Sequence, residues 1–130
     1  MASAWNSCLN ITRLWQCSPV ATRIGATARR IRVRPEAIEE YERLHAAVWP
    51  GVLEQIRRSN IRNYTIFREG THLFAYFEYF GDDFEADMAA MAADPETRRW
   101  WAILDAMQEP LPDREPGTWW KTIPEIFHAD

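Results

Sequence analysis

Ile61-Arg62-Asn63-Tyr64-Thr65-Ile66-Phe67-Arg68, the pair Glu69-Gly70, and Thr71-His72-Leu73-Phe74-Ala75-Tyr76-Phe77-Glu78-Tyr79-Phe80 form the stretch on which the fold turns. Both flanks are rich in β-branched and aromatic residues, and Glu69-Gly70 is a tight-turn signal, so the stretch reads as an antiparallel hairpin. Side chains alternate between the faces of a strand. Tyr64 and Ile66 therefore share one face of the first strand, with Thr65 and Phe67 on the other. On the second strand Leu73, Ala75, Phe77 and Tyr79 oppose His72, Phe74, Tyr76 and Glu78. A strand with large apolar groups on both faces must be covered on both sides. Helices on one side and a partner subunit on the other would do this.

Toward the N-terminus, Pro35 suits the first position of a helix, with Glu36 and Glu39 near the positive end of its dipole. Ile38, Tyr41, Leu44, His45, Val48, Val52 and Ile56 follow helical spacing up to a stop at Asn60. Pro50-Gly51 interrupts that run, because proline lacks the amide donor and collides with the preceding turn. A kink or break is expected near Trp49. Before this helix, residues 24 to 34 read as a first strand. Ile31 and Val33 share a phase there, and Arg29, Arg30, Arg32 and Arg34 crowd it.

Toward the C-terminus, Gly81-Asp82-Asp83 ends the hairpin and Phe84, Met88 and Met91 space a short helix. Asp94-Pro95-Glu96 is a cap followed by proline at the first helical position, which restarts a helix carrying Trp100, Trp101, Leu104 and Met107. Pro110, Pro112, Pro116 and Gly117 mark a loop, and Trp119 to His128 reads as a final strand. The order is β-α-β-β-α-β with the second helix split, an α+β architecture of ferredoxin-like type. Residues 24–130 form one domain on this reading. Phe74, Tyr76 and one of Trp119 and Trp120 are too large to leave wet, and a dimer packing sheet on sheet would cover them.

The 130 residues include seven Trp, whose flat faces can fill a core or stack against a sugar. No run of 18 apolar residues suggests a membrane span. Arg13, Arg23, Arg29, Arg30, Arg32 and Arg34 occupy the first 34 residues with no acid, while the rest holds 9 basic against 19 acidic residues. A body that acidic repels nucleic acid and favours a neutral small molecule as partner. Cys8 and Cys17 are the only cysteines and match no common metal spacing. Residues 1–23 read as an N-terminal extension, disordered or misassigned.

The chemistry-bearing residues are few. His72 lies beside the turn and His128 near the end, both placed as surface or hydrogen-bonding residues. His45 differs: it lies on the apolar side of the first helix, four residues from both Tyr41 and Trp49. A lone histidine there can be a satisfied core residue or a titratable group between two aromatic rings. No metal-ligand spacing, glycine-rich phosphate loop or nucleophile elbow occurs, so no metal or cofactor is expected. Proton transfer by His and Tyr remains, because histidine can donate and accept near neutral pH. Trp100-Trp101 is the second unusual feature. Adjacent helical residues point about 100° apart, so one packs inward while the other lines a cavity or an interface.

Arg34-Pro35, Tyr41, His45, Val48-Trp49-Pro50, Asn63 to Phe67, Arg99-Trp100-Trp101 and Pro124 to His128 together resemble the L-rhamnose mutarotases in content, order and spacing. The resemblance covers about residues 31–130. It implies a dimeric α/β barrel in the cytoplasm that interconverts the α and β anomers of L-rhamnose without a cofactor. It puts His45 in the place of the proton donor, and Tyr41, Tyr64, Trp100 and Trp101 at sugar-binding positions. The base is left open between Tyr41 and a bound water. Two rival readings remain: a mutarotase for another deoxy sugar such as L-fucose, and a non-catalytic ligand-binding module on the same barrel.

Overall fold

The structure is a computed structural model that describes residues 25–129. The N-terminal extension lies outside the described residues. Strand β1 (Gly25–Val33) is followed by a 3-10 turn (Pro35–Ala37) and two helices, α1 (Ile38–His45) and α2 (Pro50–Arg58). Strands β2 (Ile61–Glu69) and β3 (His72–Tyr79) come next, then helices α3 (Phe84–Ala93) and α4 (Pro95–Asp105). Two short strands, β4 (Gln108–Glu109) and β5 (Lys121–Ile123), complete the order. The sheet runs β2-β3-β1-β4, with β5 also pairing β1, and every pairing is antiparallel. This is the expected β-α-β-β-α-β order with one further two-residue strand, β4, before the last.

The first helical run breaks where proline requires it. Pro50 is the first residue of α2, and Trp49 before it is extended, with φ −60° and ψ 134°. A residue preceding proline is driven out of the helical region by the proline ring. Trp49 therefore leaves the Tyr41–His45 ladder. Pro35 opens a 3-10 turn rather than the α-helix expected there, and α1 begins only at Ile38. Asn60 follows α2 in the left-handed region at φ 61°, which asparagine tolerates better than most residues.

Asp94 does what its position promised. Its side chain accepts from the Thr97 amide at 2.9 Å and from the Thr97 hydroxyl at 2.8 Å. Those bonds hold the Asp94 carboxyl below its ordinary range. Asp83 caps α3 in the same way, accepting from the Ala86 amide.

The inward face of the sheet carries Ile31, Val33 and Leu73, which pack with Tyr41, Val52, Trp100 and Leu104 in the main core. Ile61, Phe77, Tyr79 and Met91 form a second cluster under α3. Burying such side chains is the main favourable contribution to folding, at about 25 cal/mol per Å² of apolar surface. The Arg-rich first strand therefore sits in the middle of the sheet. Its inward phase holds Gly25, Thr27, Arg29, Ile31 and Val33, so Arg29 is the one charge on that face. On the outward phase, Arg32 approaches Glu109 at 3.8 Å and the Arg30 guanidinium lies 5.8 Å from the Phe74 ring.

Three details depart from the sequence reading. Trp119 to His128 is not one strand, because only Lys121–Ile123 pairs with the sheet. Pro124 cannot donate to a ladder, so pairing ends before it. Gln108–Glu109 pairs with Arg32 and Val33, where no strand was expected. The hairpin carries a bulge: Arg62 faces Glu78 and Thr65 faces Tyr76, so Asn63 and Tyr64 stand opposite Phe77 alone. Asn63 adopts φ 52° and donates to Glu78 at 2.9 Å. A bulge bends its strand and re-aims the side chain beside it, here Tyr64.

Candidate active site

Tyr41 and His45 lie one turn apart on α1 and meet as expected. Their rings stack with centroids 4.3 Å apart. The His45 Nδ1 lies 2.8 Å from the Tyr41 carbonyl oxygen. A carbonyl can only accept, so Nδ1 carries the hydrogen and the neutral ring keeps its lone pair on Nε2. Nε2 has no partner among the described residues. Burial lowers the His45 pKa below the ordinary 6.5, and the bond to the Tyr41 carbonyl opposes that only in part. At neutral pH, His45 is therefore an uncharged imidazole with one open acceptor.

Trp100 closes one side of this imidazole. It is buried, its ring edge meets His45 at 5.5 Å, and its other side meets Trp49 at 5.2 Å. Trp101 points elsewhere and is 38% exposed. The adjacent pair divides as helical geometry requires, one indole inward and one at the surface.

Tyr41 is the most buried of the polar rings. Its hydroxyl accepts from Gln108 Nε2 at 3.1 Å, and the Gln108 carbonyl accepts from Trp119 Nε1 at 2.8 Å. Burial pushes the Tyr41 pKa up to about 12, although the Gln108 bond pulls it down. Tyr41 thus keeps its proton at neutral pH and is no base there. Tyr64 raises that value further and Arg29 lowers it, so both stand within electrostatic range of the Tyr41 oxygen.

Sequence reasoning did not single out Arg29 or Gln108 as site residues. Arg29 projects inward from β1, its guanidinium 5.2 Å from both the Phe77 and the Trp120 ring centroids. Its Nη2 donates to the Tyr64 hydroxyl at 3.2 Å. The signal was present: Arg29 is in phase with Ile31 and Val33, the inward residues of its strand. Gln108 left no such signal, since a strand of two residues has no period. Tyr64 is 36% exposed and tilts against Phe77 at 5.6 Å. The cluster thus joins His45, Tyr41, Trp100, Tyr64, Arg29 and Gln108. Trp101 has no ring contact or hydrogen bond with it among the described residues.

The family model of L-rhamnose mutarotase matches residues 26–129. A relative named L-rhamnose mutarotase from Burkholderia orbicola is 32% identical over 105 residues, covering 79% of this chain and 96% of the relative. The chain belongs to the L-rhamnose mutarotase family. A family member from Phocaeicola vulgatus is 30% identical over the same share of each chain. The crystal structure of an L-rhamnose mutarotase from Formosa agariphila superposes with a TM-score of 0.63 at 20% identity, over 81% of this chain and 98% of that one. That structure establishes the shared fold. The family is one of carbohydrate isomerases, whose name denotes the interconversion of anomers.

Proposed function

We propose that this chain interconverts the α and β anomers of L-rhamnose, with His45 moving the proton. The observation that carries the reading is the fixed His45 tautomer, with Nδ1–H committed to a carbonyl and Nε2 open, inside a family of mutarotases. Mutarotation opens the pyranose and recloses it on the other face. Opening removes the proton of the anomeric hydroxyl while the bond from the anomeric carbon to the ring oxygen breaks. Neutral His45 starts as the acceptor of that proton at Nε2, and becomes a donor once it holds it. The resemblance gave His45 the donor's place and left the base to Tyr41 or a bound water. In this proposal His45 acts first as the base and then as the donor, and Tyr41, which stays protonated, does not serve as base.

Tyr41, Tyr64, Trp100 and Trp101 serve the sugar in this reading. Indole and phenol faces suit the apolar C–H face of a deoxy sugar, and phenol hydroxyls suit its oxygens. Trp101 fits a role at the rim or at a subunit contact, given its exposure. A homodimer belongs to the proposal: Phe67, Ile126 and Phe127 are 62%, 96% and 79% exposed and call for cover. No described helix is long and apolar enough to cross a membrane. A cytoplasmic setting accords with the lack of cysteine after Cys17.

Anomer exchange by NMR magnetisation transfer tests the activity, run side by side on L-rhamnose and L-fucose. Faster exchange of L-rhamnose is expected. Faster exchange of L-fucose would reassign the substrate, and tight sugar binding without exchange would leave a binding module.

The pH profile is a second expected outcome. Only neutral His45 can accept the first proton, so kcat/KM falls on the acid side with a midpoint below 6.5, and is level through neutrality. The same lowered pKa bears on stability. The unfolded chain binds this proton more readily, so the contribution is complete above pH 6.5 and is lost as pH falls through the folded value. An acid midpoint above 6.5 would contradict the neutral acceptor.

A further inference from the structure

While His45 takes the anomeric proton, a second group is needed to protonate the ring oxygen at the same moment. As the ring opens, that oxygen keeps the bonding pair and must be protonated. Tyr41 is ill placed for this: its oxygen is deep in the core and already held by Gln108. Tyr64 is the other phenol of the cluster, partly exposed and re-aimed by the bulge at Asn63-Tyr64. The Arg29 guanidinium donates to the Tyr64 oxygen, so that oxygen is an acceptor toward Arg29 and its own hydrogen is directed elsewhere. Among the described residues no carboxylate lies within ion-pair distance of Arg29, and its Nε is buried without a hydrogen-bond partner. Two aromatic faces flank the guanidinium. Such a cation is kept beside a place where negative charge develops.

We propose that Tyr64 is the acid that protonates the ring oxygen, and that Arg29 is the positioning residue that acts through it. The inference rests on the mutarotase reading. On opening, the anomeric hydroxyl proton passes to His45 Nε2 and its oxygen forms the carbonyl. The bond between the anomeric carbon and the ring oxygen breaks, and that oxygen takes the Tyr64 proton. The site then holds an imidazolium, a phenolate facing Arg29, and the open-chain aldehyde. Rotation beside the aldehyde carbon presents its other face. Closure runs the same steps in reverse: the sugar hydroxyl returns its proton to Tyr64 as it attacks, and His45 returns its own to the new anomeric oxygen. Both protons are restored, with no other reactant. Arg29 stabilises the phenolate between the two halves, as a preorganised charge does where negative charge develops.

The test is a double-mutant cycle on L-rhamnose exchange with Tyr64→Phe, Arg29→Met and both together. Tyr64→Phe should lower kcat by roughly 100-fold, within the usual range for one proton-transfer group. Arg29→Met should lower kcat by about tenfold, the loss of one charge-assisted bond, with KM little changed. In the Tyr64→Phe background, Arg29→Met should cost nothing further, and millimolar guanidinium should restore part of the single variant's rate but none of the double variant's. Equal losses from Arg29→Met in both backgrounds, or a rise in KM with kcat intact, would overturn the proposal. If Arg29→Met fails to fold by circular dichroism, Arg29→Lys repeats the cycle with the charge kept and the fork lost, under the same criterion. A folded parent that exchanges no sugar anomers would instead remove the function on which the inference stands.

Discussion

His45→Gln loses anomer exchange by roughly 10²–10⁴-fold, the usual contribution of a positioned acid–base group. Glutamine nearly fills the space and can still donate toward the Tyr41 carbonyl, but it has no nitrogen lone pair that takes up a proton near neutral pH. Sugar binding should change far less, because the indole and phenol faces around position 45 remain. The loss belongs in kcat, and KM should move little. The fold should survive. His45 is half-buried, and its stacking on Tyr41 at 4.3 Å is the type of ring contact worth about 0.5–1.5 kcal/mol. The check is magnetisation transfer at saturating L-rhamnose, with circular dichroism as the control for folding. Exchange at the parental rate would show that the proton moves through another group.

Trp100→Ala destabilises the chain by roughly 3–5 kcal/mol, the range for removing a large aromatic side chain from a core. Trp100 is 4% exposed and packs in the main core with Ile31, Val33, Tyr41, Val52, Leu73 and Leu104. It also holds His45 and Trp49 edge-on, so its removal leaves a cavity beside the imidazole. A loss of that size is a large fraction of the roughly 5–15 kcal/mol that holds a domain folded. Trp101→Ala makes the contrast: its side chain is partly exposed, and the loss of stability should stay below about 1 kcal/mol, as at most surface positions. Urea denaturation of the two variants decides this. Equal midpoints would mean that Trp100 does not anchor the core.

The adjacent tryptophans show what can be read without coordinates. That one must face inward and the other outward follows from the helical turn; that Trp100 is the inward one came only with the structure, where it shares a phase with buried Thr97 and Leu104. The break at Pro50, the turn at Gly70 and the cap at Asp94 were equally legible, because each depends on one residue's own backbone chemistry. The Tyr41–His45 contact was legible because it lies within a single turn of helix.

What escaped depends on partners distant in sequence. The bulge at Asn63-Tyr64 exists because two residues face Phe77 alone, which no local pattern announces. Gln108 reaches Tyr41 across 67 positions from a strand of two residues. Arg29 was read as one of several crowding cations, although its phase placed it inward. Its neighbours Arg30 and Arg32 point the other way, and one of them meets Glu109. The final strand was overestimated because β-forming residues continue past Pro124, whereas pairing with β1 stops at Ile123.

Catalysis on this reading needs the open nitrogen of a neutral His45 to face the anomeric oxygen of the bound sugar. A crystal structure of the chain soaked with L-rhamnose tests it most directly. Nε2 should lie within about 3 Å of the anomeric oxygen, the reach of a proton-transferring group, with Nδ1 still on the Tyr41 carbonyl. A sugar bound away from position 45, or an imidazole whose Nε2 faces only solvent while the sugar is in place, would contradict it.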